Sequence, residues 1–201
     1  MTFRLRPPLL LSLWRRPEFG AAPGVSYNNF CWRGESMIKK SDHQPEGGGR
    51  VVSVNVSKRK GTPKTPVQEI ALEPGRGVVG DAHEGPGDRQ VSLLMMESIS
   101  AARQAMAQAP KGKPGACGVE LKPGSFAENV TTAGVNLLAL RPGDELKLGT
   151  ALIRVTRIGK ECPRPCAIFY QTGSCIMPAQ GVFGEVVIGG AARPGDKIET
   201  N

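Results

Sequence analysis

Aromatic residues and histidine are scarce in this chain of 201 residues: aromatics make up 5%, and there are two histidines. No stripe of Lys and Arg is interleaved with Phe or Tyr, which argues against single-stranded nucleic-acid binding, where bases stack on aromatic faces. No apolar run approaches the roughly 20 residues of a membrane-spanning helix. The glycines around position 80 do not form a Gly-x-Gly-x-x-Gly between a strand and a helix, so a dinucleotide fingerprint is missing. Cysteine is present five times, an odd number, and three copies crowd between positions 162 and 175 instead of forming a dispersed, even disulfide framework. A reducing cytoplasm is the expected compartment.

Glycine (26) and proline (17) are abundant instead. They point to many turns and short strands, hence a mainly β domain rather than a helical bundle. The 39% of hydrophobic residues suffices for one sizeable core. The net charge of +8 splits evenly, +4 in residues 1–50 and +4 in the remainder. The folded part is therefore mildly basic and suits a small anionic ligand. Residues 1–49 read as an N-terminal extension and linker, either disordered or not translated. Arg4 and Arg6 before Leu9–Leu13 imitate a secretory signal, but the apolar run is short and flanked by prolines. Met37, before Ile38-Lys39-Lys40, is an alternative start to Met1, and Glu46-Gly47-Gly48-Gly49 is a linker. Cys31 and His43 fall here and are assigned no chemistry. The domain is expected over residues 50–201.

Within it, the alternation of Val51–Ser57 predicts a strand, and Val67–Leu72 a second. Lys58 to Lys64 form a basic loop between them, either a solvated charged loop or a clamp for an anion through Lys58, Arg59 and Lys64. The glycine-rich stretch 75–90 gathers Asp81, His83, Asp88 and Arg89. Leu93, Met96, Ile99, Ala102 and Met106 recur at helical spacing, which predicts one principal helix over Ser92–Ala109, with Ser92 as cap and Pro110 as stop. Glu128 and Asn129 form a polar pair among apolar neighbours. Strands are predicted at Glu145–Leu148, Ala151–Ile158 and Val182–Ile188, with Arg-Pro-Gly-Asp turns at 141 and 193, the second before a short strand from Lys197.

The stretch Gly159–Gly184 carries Cys162, Cys166 and Cys175. Pro163 and Pro165 keep a helix interior or central strand out of their part of it, placing Cys166 on a stiff loop. Lys160, Arg164 and Arg157 put positive charge nearby, and positive charge favours thiolate, the form that attacks electrophiles and binds metals. Cys162 and Cys175 read either as small buried residues or as resolving thiols. Taken with Cys117, the cluster also admits a structural Zn or Fe–S site. Its Cys-x3-Cys-x8-Cys spacing matches neither zinc knuckles nor ferredoxin runs.

Six ordered blocks carry a resemblance: Gly80-Asp81-Ala82-His83; Arg89-Gln90-Val91-Ser92-Leu93-Leu94; Phe126-Ala127-Glu128-Asn129-Val130; Pro142-Gly143-Asp144-Glu145-Leu146; Gly159-Lys160-Glu161-Cys162 with Pro165-Cys166; and Cys175-Ile176-Met177-Pro178 with Gly181-Val182-Phe183. Over about residues 50–200 the chain resembles a MOSC domain, the module named after the C-terminal part of molybdenum-cofactor sulfurase, in its small stand-alone bacterial form. The resemblance implies a MOSC-type β-barrel with one principal helix and short helical turns. It implies a molybdenum–pterin cofactor, with Cys166 as metal ligand or persulfide carrier. Arg89, His83, Glu128 and Asn129 become candidates for the surrounding pocket. It implies partners among cofactor-biosynthetic proteins, a sulfur donor or a recipient molybdoenzyme, and a sulfur-transferase or accessory activity. Pyridoxal phosphate belongs to a separate desulfurase domain of such fusions and is not expected here.

Overall fold

The computed structural model describes residues 48–108 and 119–200. Residues 1–47 of the extension, both start sites, Cys31, His43 and Cys117 lie outside the described residues, and Gly49, expected as linker, is already the first residue of the first strand, paired with Ile198. The elements run β1 (Gly49–Val56), β2 (Thr65–Val67), β3 (Ile70–Glu73), β4 (Gly77–Val78), β5 (Val91–Met95), α1 (Met96–Ala107), β6 (Val130–Ala133), a 3-10 turn (Leu137–Ala139), β7 (Glu145–Leu148), β8 (Ala151–Ile158), α2 (Ala167–Thr172), α3 (Met177–Gln180), β9 (Val182–Ile188), β10 (Gly190–Ala192) and β11 (Lys197–Thr200).

Seven strands close into a barrel in the order β11-β7-β8-β9-β5-β6-β1, with β1 pairing back onto β11 and β2 added at the flank of β1. Closure leaves those seven strands without a free edge. The β5–β6 pair is parallel, whereas the other pairs are antiparallel. Alternation decides which side chains fill the barrel. Leu146 and Leu148 of β7 and Ala151, Ile153 and Val155 of β8 are buried, while Lys147 and Arg154 between them face water. They meet Val54, Leu93, Val130, Val182 and Ile198 in the main core. Gly184 lets β9 close against β8, because a Cβ there would stand 2.5 Å from Ile153 Cγ2. A small sheet, β10-β3-β4, packs beside the barrel.

β5 is buried along its whole length, and its two faces serve two cores. Val91, Leu93 and Met95 point into the barrel. Leu94 points outward into a second apolar layer with Ile99 and Ala102 of α1, Phe126, Ile168 of α2, Met177 of α3 and Phe183. This outer layer is the floor on which the cysteine-bearing segment rests.

Two expectations are corrected here. The principal helix does not begin at Ser92: residues 91–95 are strand, Met95 occupies the cap position, and α1 covers Met96–Ala107. A strand apolar on both faces shows the same run of Leu and Met as a buried helix start, so periodicity cannot separate them. The stretch 67–72 is not one strand either. It divides into the end of β2, paired with β1, and the start of β3, paired with β10. Among the described residues no helix is long and apolar enough to cross a membrane.

Candidate functional site

The cysteine segment is an excursion between β8 and β9 with a closed neck. Gly159 N–H donates to Gly181 O at 2.7 Å and Lys160 N–H to Pro178 O at 3.2 Å. Gly159 has φ +75°, and a Cβ there would collide with the Pro178 carbonyl, so the neck needs glycine at this point. Beyond it, Cys162 is exposed. Cys166 follows Pro165 in extended conformation and immediately precedes α2. The segment is thus more ordered than a loop: α2 ends on Gly173 in the left-handed conformation, and α3 starts with Pro178 in its first turn. Ile168, Ile176 and Met177 pin it to the outer apolar layer, with Cys166 and Cys175 packed against that layer.

This segment forms one wall of a cavity of about 280 Å³ that contains Cys162, Cys166 and Cys175. Apolar surface comes from Phe169, Met177 and Phe183. The facing wall is built by Lys60 and Gly61 of the basic loop, by His83 and Arg89, and by Ser92, Ala127 and Asn129. The basic loop comes close to the thiol, since a Cβ on Gly61 would stand 3.5 Å from Cys166 Cβ. Lys60, Arg89, Lys160 and Arg164 line the space, and among the described residues lining it there is no Asp or Glu. Four cations around a small concave space focus a positive potential on whatever enters.

His83 owes its place to Asp81, a buried carboxylate. Asp81 accepts from Ser57 N–H at 2.9 Å, from His83 N–H at 2.9 Å and from Lys64 Nζ at 2.5 and 2.6 Å. Burial pushes its carboxyl up, but the hydrogen bonds from His83, Lys64 and Ser57 outweigh burial and hold it well below the usual carboxylate range. His83 Nδ1 lies 3.4 Å from the same carboxylate. An ionised Asp81 only accepts, so Nδ1 of His83 faces it as the donor.

Asn129 also reaches the cavity, yet its side chain is spent on structure. Its Oδ1 accepts from Ser92 N–H at 3.2 Å and from the Ser92 hydroxyl at 2.8 Å, while Nδ2 donates to Asn55 O at 3.2 Å. Glu128 is fully buried and does not line the space. Its Oε1 accepts from Gly124 N–H at 2.5 Å and the Thr131 hydroxyl at 2.9 Å, and its Oε2 from Phe126 N–H at 3.1 Å. These bonds brace the turn that holds Ala127 at φ +65°, the one non-glycine residue with positive φ among the described residues. Burial, partly offset by these donors, raises the Glu128 pKa above 4.5.

The expected anion clamp is rearranged. Lys64 is buried against Asp81, so it contacts no incoming anion. Lys58 Nζ donates to Gly80 O at 3.0 Å, and neither Lys58 nor Arg59 lines the cavity. Their neighbour Lys60 does, with Lys160 and Arg164 from the cysteine segment. Arg157 does not line the cavity and pairs with Asp88, its Nε 3.4 Å from Oδ2, while Oδ1 of the same carboxylate lies 3.7 Å from Arg89 Nε. Of the sequence-derived candidates, Cys166, His83, Arg89 and Asn129 share the cavity. Lys60 was legible only as part of a basic run, Phe169 carried no signal, and Phe183 entered only as part of a resemblance block. As for a structural metal site, no three His, Cys, Asp or Glu side chains among the described residues are placed to hold an ion.

Solved structures with the same fold include the YuaD protein from Bacillus subtilis, with 18% identity and a TM-score of 0.56, covering 76% of this chain and 94% of that one. YiiM from Geobacillus stearothermophilus matches at 20% identity and a TM-score of 0.55, over 76% of this chain and 75% of that one. YiiM from Escherichia coli gives 22% and 0.52, over 76% and 69%. At these identities the likeness is one of fold. No curated protein matches the chain. The MOSC domain model matches residues 79–199, from the Asp81–His83 bracket through the cysteine segment to the last strand of the barrel. That span is more than half of the chain, which therefore belongs to the MOSC domain family, a family associated with molybdenum-cofactor sulfurase.

Proposed function

We propose that the protein receives a molybdenum–pterin cofactor in the 280 Å³ cavity and that Cys166 is the sulfur that acts on it. The observation that carries this reading is the lining: four Lys and Arg side chains, no carboxylate among the described lining residues, and a thiol on the same wall. The residues present fit such a group. Cations suit the phosphate of an anionic pterin, thiolate is a soft donor suited to molybdenum, and Phe169 and Phe183 offer apolar surface to a flat ring. When bound, the cofactor would supply a soft metal centre that accepts sulfur. The chain's own part is to hold the anion with Lys60, Arg89, Lys160 and Arg164, and to present Cys166 from a segment fixed at its neck. His83, oriented by its Asp81 contact, presents an imidazole on the cavity wall.

Cys166 has two available roles, metal ligand and persulfide carrier. A ligand requires one sulfur, whereas three thiols line this cavity, and that favours sulfur handling. The lining charges give the test. Reversing exposed Arg164 (R164E) changes the local field by two charges. The affinity for the isolated molybdenum–pterin cofactor should fall about tenfold or more at low ionic strength, with the loss shrinking as salt is added. Unchanged affinity would remove the proposed role of the lining cations in holding the anion in this cavity.

A further inference from the structure

The three thiols share a cavity but not an environment. Cys162 is exposed, two residues past the neck at Lys160. Cys166 is half-buried, with Gly61 so near that a Cβ there would stand 3.5 Å from Cys166 Cβ. Cys175 is packed on the outer apolar layer, and burial pushes its thiol up to about 11. It therefore stays protonated near neutral pH and is a poor nucleophile. Burial thus separates the cluster into an accessible sulfur, a sheltered sulfur and an inert one.

The accessible and sheltered thiols are joined by a short, constrained tether. Four residue steps reach at most about 14 Å of chain, and Pro163 and Pro165 fix φ at two of the three positions between. Both side chains line the same 280 Å³ space, as do Lys160 and Arg164, which place positive charge around any persulfide anion formed there. Of the two, Cys162 is exposed and Cys166 partly covered, so a bulky donor meets Cys162 first.

We propose that Cys162 is a sulfur-receiving site that takes a sulfane sulfur from an external persulfide donor and passes it to Cys166. The inference rests on the sulfur-handling reading given above. In the first step Cys162 thiolate attacks the outer sulfur of the donor persulfide. The donor's S–S bond breaks, the donor leaves as a thiolate, and Cys162 carries –S–SH. In the second, Cys166 thiolate attacks that outer sulfur, a new S–S bond forms on Cys166, and Cys162 is released as thiolate. The outer sulfur keeps its proton and its oxidation level throughout, so no oxidant or reductant is consumed. Cys175, remaining a thiol, does not intercept the sulfur by displacing it as sulfide.

Two donors of different size test the relay on the full-length protein: persulfidated serum albumin, which cannot enter the cavity, and glutathione persulfide, which can. Peptide mass spectrometry reads which cysteine carries the added sulfur atom. With the albumin donor, Cys162→Ala should slow loading of Cys166 about tenfold or more, because access limits exchange, while glutathione persulfide still loads Cys166. Cys166→Ala should trap the sulfur on Cys162. Equal loading of Cys166 by albumin persulfide with and without Cys162, or an unmodified Cys162 in the Cys166→Ala protein, overturns the relay alone. Failure of both donors to place sulfur on Cys166 in the wild-type protein overturns the relay together with the sulfur-handling reading beneath it.

Discussion

Replacing Lys64 by Met isolates the electrostatic bracket that holds one wall of the cavity. Met keeps much of the unbranched apolar stem of Lys and removes the ammonium, so packing changes little. The Lys64 side chain is 0% exposed and that of Asp81 1%, with Nζ 2.5 Å from the nearer carboxylate oxygen. Glu128 also acts on Lys64 electrostatically. Removing the cation therefore leaves the buried Asp81 carboxylate without its positive partner. Breaking a buried pair in this way costs about 3–5 kcal/mol. The lower end applies here, because Ser57 and His83 still donate to Asp81. With a urea slope of about 2 kcal/mol/M, a loss of about 3 kcal/mol lowers the unfolding midpoint by about 1.5 M. Adding Asp81→Asn removes the stranded charge, so the double variant should be more stable than Lys64→Met alone. Equilibrium urea unfolding followed by circular dichroism measures both. A Lys64→Met midpoint within experimental error of wild type would refute the reasoning and return Lys64 to the solvated, anion-binding role that its place in the basic run had suggested.

Two further outcomes follow from the buried titratable groups. Asp81 titrates in the folded protein well below its ordinary 3.8, so its stabilisation is complete above that value and is lost as pH falls below it. Glu128 has the opposite sign: its folded value lies above 4.5, so stability falls as pH rises from 4.5 through that folded value. Urea midpoints measured across this range should lose their falling limb in Glu128→Gln; an unchanged slope would contradict a buried Glu128. Iodoacetamide at mildly alkaline pH should modify exposed Cys162 at least about tenfold faster than Cys175, whose thiol is held near 11, as read by peptide mass spectrometry. Equal rates would show that Cys175 is not shielded.

The barrel was legible where one face of a strand is wet. β8 and β9 coincide with the predicted Ala151–Ile158 and Val182–Ile188, because inward apolar residues alternate with Arg154 and Glu185. Legibility failed at β5, which is covered on both faces, so Ser92 read as a helix cap although its hydroxyl is engaged with Asn129. The resemblance singled out Cys166 from the neighbouring cysteines, while Pro163 and Pro165 showed only that it lies on a constrained segment. His83 and Arg89, gathered in a glycine-rich stretch, became pocket candidates through the same resemblance. Lys64 and Glu128 misled for a shared reason: local sequence shows a charge but not the distant group that neutralises or encloses it. Asp81 lies seventeen residues from Lys64, and Glu128 is enclosed by the turn it braces. Phe183 sits in a strand whose neighbours all look like core, so its position at the cavity followed only from barrel closure and the packing of α2 and α3 over its outer face.

Molybdenum and pterin content, measured by mass spectrometry on anaerobically purified protein and on Cys166→Ser, tests the central claim most directly. Wild-type protein should retain both in near-stoichiometric amount, and so should Cys166→Ser, whose four lining cations are intact, while only the wild type should carry an added sulfur atom at residue 166 after exposure to glutathione persulfide. Absence of molybdenum and pterin from the wild type, or stoichiometric zinc or iron in place of molybdenum, would contradict the account.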